Sequence, residues 1–110
     1  MQTETKQNTS GGSIAQSSEV DVDVTGFSFT PTAVLVAQVS CGSTAAARYA
    51  VASFPGGGSG GTEASGESYL YVTIVSITPG ANKVTVRLRN SFTTATYYYG
   101  TIIVTAIKAP

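Results

Sequence analysis

Along most of the chain apolar and polar residues alternate with a period of two. That is the spacing of strands with one face in a core and the other in water. In residues 19–24, EVDVDV, the valines at 20, 22 and 24 share one face and Asp21 and Asp23 the other. Gly26 punctuates, and Phe27 and Phe29 then set two aromatics on one side of the chain. Pro31 pushes Thr30 into extended geometry. Residues 33–40, AVLVAQVS, are apolar on both faces, the pattern of a central strand.

The second half repeats the signal. Residues 47–54, ARYAVASF, read as a further strand, since the helix-favouring stretch at 45–48 is far shorter than the ~12 residues an isolated helix needs. Residues 55–66, PGGGSGGTEASG, have the composition of a flexible loop. In residues 68–77, SYLYVTIVSI, Leu70, Val72 and Ile74 alternate with Tyr69, Tyr71, Thr73 and Val75. TPGAN follows, with Pro79-Gly80 suited to a type II turn. The clearest strand is KVTVRLRN, with Val84, Val86 and Leu88 inward and Lys83, Thr85, Arg87 and Arg89 outward; with the preceding run it predicts a hairpin. The long last strand, residues 97–107, contains Gly100, which suggests a bulge or a close backbone contact. Turn signals every 8–12 residues predict an all-β fold, a single antiparallel β-sandwich of about six to seven strands over residues 13–110.

Residues 1–12 break the pattern. They have no apolar periodicity and a Gln/Thr/Ser/Asn/Gly composition that buries too little to order itself. They are expected to form an extended N-terminal arm, ordered only where another subunit or a neighbouring protein ties it down. Met1, Gln2, Thr3, Glu4, Thr5, Lys6, Gln7 and Asn8 are therefore the candidate assembly and anchoring residues.

Composition narrows the function. The chain has 110 residues, with six Lys+Arg against six Asp+Glu, one cysteine and no histidine. Without histidine, Ser-His-Asp and Cys-His catalysis and His-ligated metal sites are excluded in their usual form. Cys41 alone forms neither an intrachain disulfide nor a Cys-rich zinc site, and reads as a buried structural thiol. Formal neutrality argues against nucleic acid as a partner, since neutralising phosphates requires a cationic footprint. No apolar run approaches the ~18 residues of a membrane helix, so membrane insertion is not expected. The opening MQTETKQNTSGG is unlike a signal peptide, which leaves the Asn8-Thr9-Ser10 sequon without consequence. No cofactor is implied.

Few motifs carry chemistry. Residues 56–61, GGGSGG, match G-x-G-x-x-G by composition, but the helix that should hold a pyrophosphate is missing from the pattern. Asp21, Asp23, Glu63 and Glu67 supply carboxylates, yet two-carboxylate hydrolysis needs them held rigidly about 5–10 Å apart. The favoured role is electrostatic. Glu19, Asp21 and Asp23 carry −3 on one strand and Lys83, Arg87 and Arg89 carry +3 on another, a complementarity suited to cross-strand pairing. Tyr97, Tyr98 and Tyr99 stand in one strand, where neighbours face opposite sides. Two of them are expected to present rings outward, with Tyr69 or Tyr71 alongside, as an interface or sugar-binding platform.

Two segments carry a resemblance. GFSFTPTAVLV (residues 26–36) is similar to the opening of H-type-lectin-like β-sandwich modules, with an aromatic-x-aromatic step, a proline and an apolar strand. GTIIVTAIKAP (residues 100–110) resembles their closing strand, which often carries a tryptophan that is absent here. Modules of this kind occur in bacteriophage tail-fibre, baseplate and other virion proteins. The resemblance implies a homotrimer or other symmetric oligomer, exposed on a virus particle and in contact with other virion proteins. The resulting expectation is a non-enzymatic virion structural protein, a fibre, decoration or host-recognition module anchored by its N-terminal arm. The alternative is a lectin-like module that binds a host-surface glycan through exposed tyrosines.

Overall fold

A computed structural model describes residues 1–42, 48–55, 66–67 and 71–110. They form nine strands: β1 (Gln2–Asn8), β2 (Gly12–Ile14), β3 (Ser18–Thr25), β4 (Ala33–Gly42), β5 (Arg48–Phe54), β6 (Gly66–Glu67), β7 (Val72–Gly80), β8 (Lys83–Asn90) and β9 (Tyr97–Lys108). Among the described residues there is no helix, and so none long and apolar enough to cross a membrane. The larger sheet runs β1-β9-β4-β5-β6, with β2 also pairing β9; the smaller runs β3-β8-β7. Every pairing is antiparallel. The protein is an all-β sandwich.

The period-two pattern builds the core. Val22 and Val24 of β3, Val84, Val86 and Leu88 of β8, and Val34 and Val36 of β4 all point between the sheets and are buried. Ile102, Val104 and Ala106 of β9 meet them from the larger sheet. Phe27 and Phe29 both turn inward, and Cys41 is fully buried, where burial raises its thiol pKa. Gly26 links β3 to this aromatic step at φ +95°, a region open to glycine but rarely to other residues. The bulge expected at Gly100 is present: Val39 pairs Ile102 and Cys41 pairs Tyr99, so β9 spends one residue more than β4.

Two expectations are corrected. Residues 1–12 do not extend from the domain, because β1 pairs β9 without a break from Gln2↔Lys108 to Asn8↔Ile102. An edge strand over the rim of a sandwich needs no apolar stripe, since its order comes from backbone hydrogen bonds. The turn assigned to Pro79-Gly80 lies two residues later. Pro79 and Gly80 close β7 opposite Val84 and Lys83, and Ala81-Asn82 make the turn, with Asn82 at φ +59°. Strand β4 is central, between β9 and β5, as its pattern implies, though its outer face is open and Leu35 is 47% exposed. The Gly-rich segment 56–65, including GGGSGG, and the start of the strand read at 68–77 lie outside the described residues, as do residues 45–47 of the helix-favouring stretch.

Candidate functional site

The two outer faces differ in chemistry. On the smaller sheet the cross-strand charges meet as their alternation implies: Glu19 lies opposite Arg89 and Asp21 opposite Arg87. Arg87 donates from Nε to Asp21 Oδ1 at 2.8 Å and from its terminal nitrogen to Oδ2 at 3.2 Å. Arg89 reaches Glu19 at 3.3 Å, and Lys83 Nζ stands 3.7 Å from Asp23. Thr85 donates its hydroxyl to Asp23 Oδ1 at 2.6 Å. Hydrogen bonds from Arg87 hold the Asp21 carboxyl below the usual carboxylate range, and Asp21 in return raises the Arg87 guanidinium.

A polar cleft of about 470 Å³ opens along this ladder, between Asp21, Val75, Ser76, Thr78, Thr85 and Arg87. A register shift between Ile74 and Ser76 in β7 shapes its wall. Its one carboxylate is already held ionised by a guanidinium, so it has no proton to donate near neutral pH, and it is a weak base. The charges here cancel within the chain. Of the other carboxylates considered for hydrolysis, Glu63 and the Glu67 side chain lie outside the described residues, and Asp23 belongs to the same ladder. Among the described residues no three His, Cys, Asp or Glu side chains gather as a metal site would require.

The outer face of the larger sheet is mostly uncharged, with one acidic residue set on it by register, Glu67 of β6 opposite the exposed Val51. Register places Thr3, Thr5 and Gln7 of β1 beside Ile107, Thr105 and Ile103 of β9. Leu35 of β4 and Ser53 of β5 continue the Thr5–Thr105 row. The Thr5 and Thr105 hydroxyls share a 2.8 Å hydrogen bond. Leu35 and Val51 are 47% and 37% exposed.

The tyrosines divide instead of forming one platform. Tyr97 turns inward and is buried, meeting the edges of Phe92 and Tyr71 with ring centroids 5.7 Å away in each case. Tyr71, itself partly exposed, stacks on Phe92 at 4.1 Å. Tyr99 is half-buried and packs on the core. Tyr98 alone of the three faces out, where two outward rings were expected. Tyr69 lies outside the described residues. Gly12, opposite Tyr99, is required by that ring: a Cβ there would stand 2.6 Å from the Tyr99 hydroxyl oxygen. An aromatic ring laid over a cross-strand glycine covers backbone that would otherwise stay wet. Tyr98, Tyr99 and Gly100 with Ser10–Ser13 thus border a shallow, largely apolar depression of about 450 Å³. No alternation signal marks this depression, because it depends on β2 docking beside the end of β9.

The candidate anchoring residues are built into the rim. Glu4 accepts from the Ser28 amide at 2.8 Å and from the Ser28 hydroxyl, and these bonds lower its pKa. Asn8 donates to the Asp23 carbonyl at 2.7 Å and accepts from the Ser10 amide, linking the two sheets. Gln2, Thr3, Thr5, Lys6 and Gln7 lie in the same strand, and Met1 precedes it, exposed. Comparison with known proteins finds no matching family model, curated protein or solved structure.

Proposed function

We propose that this protein is a non-enzymatic building block of a bacteriophage particle, a fibre, decoration or host-recognition module that associates with copies of itself. The observation that carries the reading is the pair of exposed apolar side chains, Leu35 and Val51, on the outer face of the larger sheet, in a surface made mostly of threonine and other uncharged residues. Monomeric sheet proteins usually place charge on such surfaces to prevent association. Here the described ion pairs lie on the smaller sheet, where Glu19, Asp21 and Asp23 meet Arg89, Arg87 and Lys83. The virion setting rests on the resemblance of residues 26–36 and 100–110. Phe27, Phe29, Pro31, Val34 and Val36 in the first of these are all buried, so the likeness supports a shared architecture. Because β1 is part of the sheet, residues 1–12 would contribute to assembly as a sheet edge and not as a free tether.

Light scattering over a range of concentrations tests the association. The expected native mass is a multiple of 11.2 kDa, reduced by the paired variant Leu35→Lys, Val51→Lys. A monomer at every concentration overturns the reading. Antibody against the domain should label intact particles that contain it; labelling of disrupted particles alone would remove it from the surface.

A second reading, glycan binding, is favoured by the Tyr98 depression, since an exposed ring beside glycine backbone suits the apolar face of a sugar. Chemical-shift titration with simple sugars tests it. Shifts at Tyr98 that vanish in Tyr98→Ala support it, and an unperturbed Tyr98 across the sugar set removes it.

A further inference from the structure

We propose that β1 pairs antiparallel with β1 of a second copy about a two-fold axis through Thr5, joining two larger sheets edge to edge. This deepens the self-association reading above, rests on it, and names a contact for it.

Strand edges present unpaired backbone donors and acceptors, and proteins that stay apart disable them with proline, bulges or like charge. Strand β7 ends with Pro79 and is interrupted between Ile74 and Ser76. Strand β3 carries Glu19, Asp21 and Asp23, so antiparallel pairing with itself would set acid against acid. Strand β1 has no proline and no bulge, and its two charges, Glu4 and Lys6, are opposite in sign. It contains neither glycine nor proline, its register to β9 is unbroken over seven residues, and no described strand covers its other edge.

The order of residues in β1, QTETKQN, is complementary to itself. Turned about Thr5, Gln2 faces Asn8 of the second copy, Thr3 faces Gln7, and Glu4 faces Lys6. Thr5 faces its own counterpart. Directly opposed residues in an antiparallel pair have Cβ atoms about 5 Å apart, within reach of an ion pair. The two-fold axis makes two Glu4–Lys6 pairs. Glu4 is positioned in advance by its bonds to Ser28, and Lys6 is exposed, its chain passing Gly26. On the opposite face of β1 lie Thr3, Thr5 and Gln7. The junction would therefore continue the row of Thr3, Thr5 and Gln7 from one copy into the next.

Charge reversal in the full chain tests the pairing, read by sedimentation equilibrium with circular dichroism to confirm folding. Glu4→Lys sets lysine against lysine and Lys6→Glu sets glutamate against glutamate; each should weaken association about tenfold or more. Mixing the two variants restores both opposite-charge pairs and should recover wild-type association, as should Glu4→Lys and Lys6→Glu combined in one chain. Should Glu4→Lys lose folding along with its Ser28 bonds, Lys6→Glu and the combined variant carry the comparison. Wild-type association untouched by either single change overturns the β1 contact and leaves self-association standing. Weakened singles that neither mixing nor combination rescues overturn the two-fold register. A wild-type chain that stays monomeric overturns both proposals.

Discussion

The two outer faces of the sandwich present opposite solutions to one problem. Both sheets bury a row of valines and isoleucines, and both must do something with the side that remains. The smaller sheet covers its outer face with acids on β3 and cations on β8, matched across the register. The larger sheet uses mostly threonine, leucine, valine and isoleucine, with Glu67 set opposite Val51 by register. Sheets with equivalent interiors can thus differ completely as surfaces. The first is satisfied within the chain, whereas the second leaves Leu35 and Val51 exposed.

Substitutions on the two sides of one strand should separate sharply. The largest effect belongs to Val86→Asp, which places an unpaired charge at a fully buried position of β8. Several kcal/mol are lost against a total stability of about 5–15, so no cooperative thermal transition should remain. Its neighbour Arg87→Ser, outward on the ladder, should cost far less, because exposed ion pairs contribute little. Equal losses would refute the register.

Asn90→Ala comes next. Asn90 is fully buried and donates to the carbonyls of Ile14 and Ala95 while accepting from the Phe92 amide. Deleting it leaves those backbone groups without their partner, at a cost of about 2–4 kcal/mol in denaturant titration. Gly12→Ala should cost about 1 kcal/mol, because the Tyr99 ring must swing away from the new methyl. The loss should nearly vanish when Tyr99→Ala is combined with it, as a double-mutant cycle would read.

The smallest effect is that of acid. Asp21 and Glu4 both have carboxyls lowered in the folded state, by Arg87 and by Ser28 respectively. A group depressed on folding contributes stability above its unfolded pKa, and that contribution is lost as pH falls through the folded value. Stability should therefore decline as pH drops below about 4, and Asp21→Asn should flatten part of the decline. Both groups are solvent-facing, so the change is a fraction of what a buried pair would give. A steeper acid dependence in Asp21→Asn than in wild type would contradict the ladder.

How far these features were legible before the structure depends on how local they are. Strand β8 was readable in full, since KVTVRLRN encodes its own faces. The charge ladder was readable as a possibility, because two oppositely charged strand faces invite pairing. The tyrosine end was not. Alternation says that Tyr98 opposes its neighbours, but whether the pair or the single ring faces water depends on which side carries the core. Residues 1–12 misled for a related reason: an edge strand at the rim can be wholly polar, and backbone hydrogen bonds leave no mark on side-chain composition.

From the order of residues alone came the all-β class, the inward valines of β3 and β8, the bulge at Gly100 and the complementary charges. Each is a property of one strand or of a short stretch, set by side-chain sterics and the two-residue period. Only the tertiary structure decided that β9 lies between β1 and β4, that Tyr99 closes over Gly12 and that Leu35 stays exposed. Those depend on which distant strands meet and in what register, and strand pairing is a long-range choice made by the whole core at once.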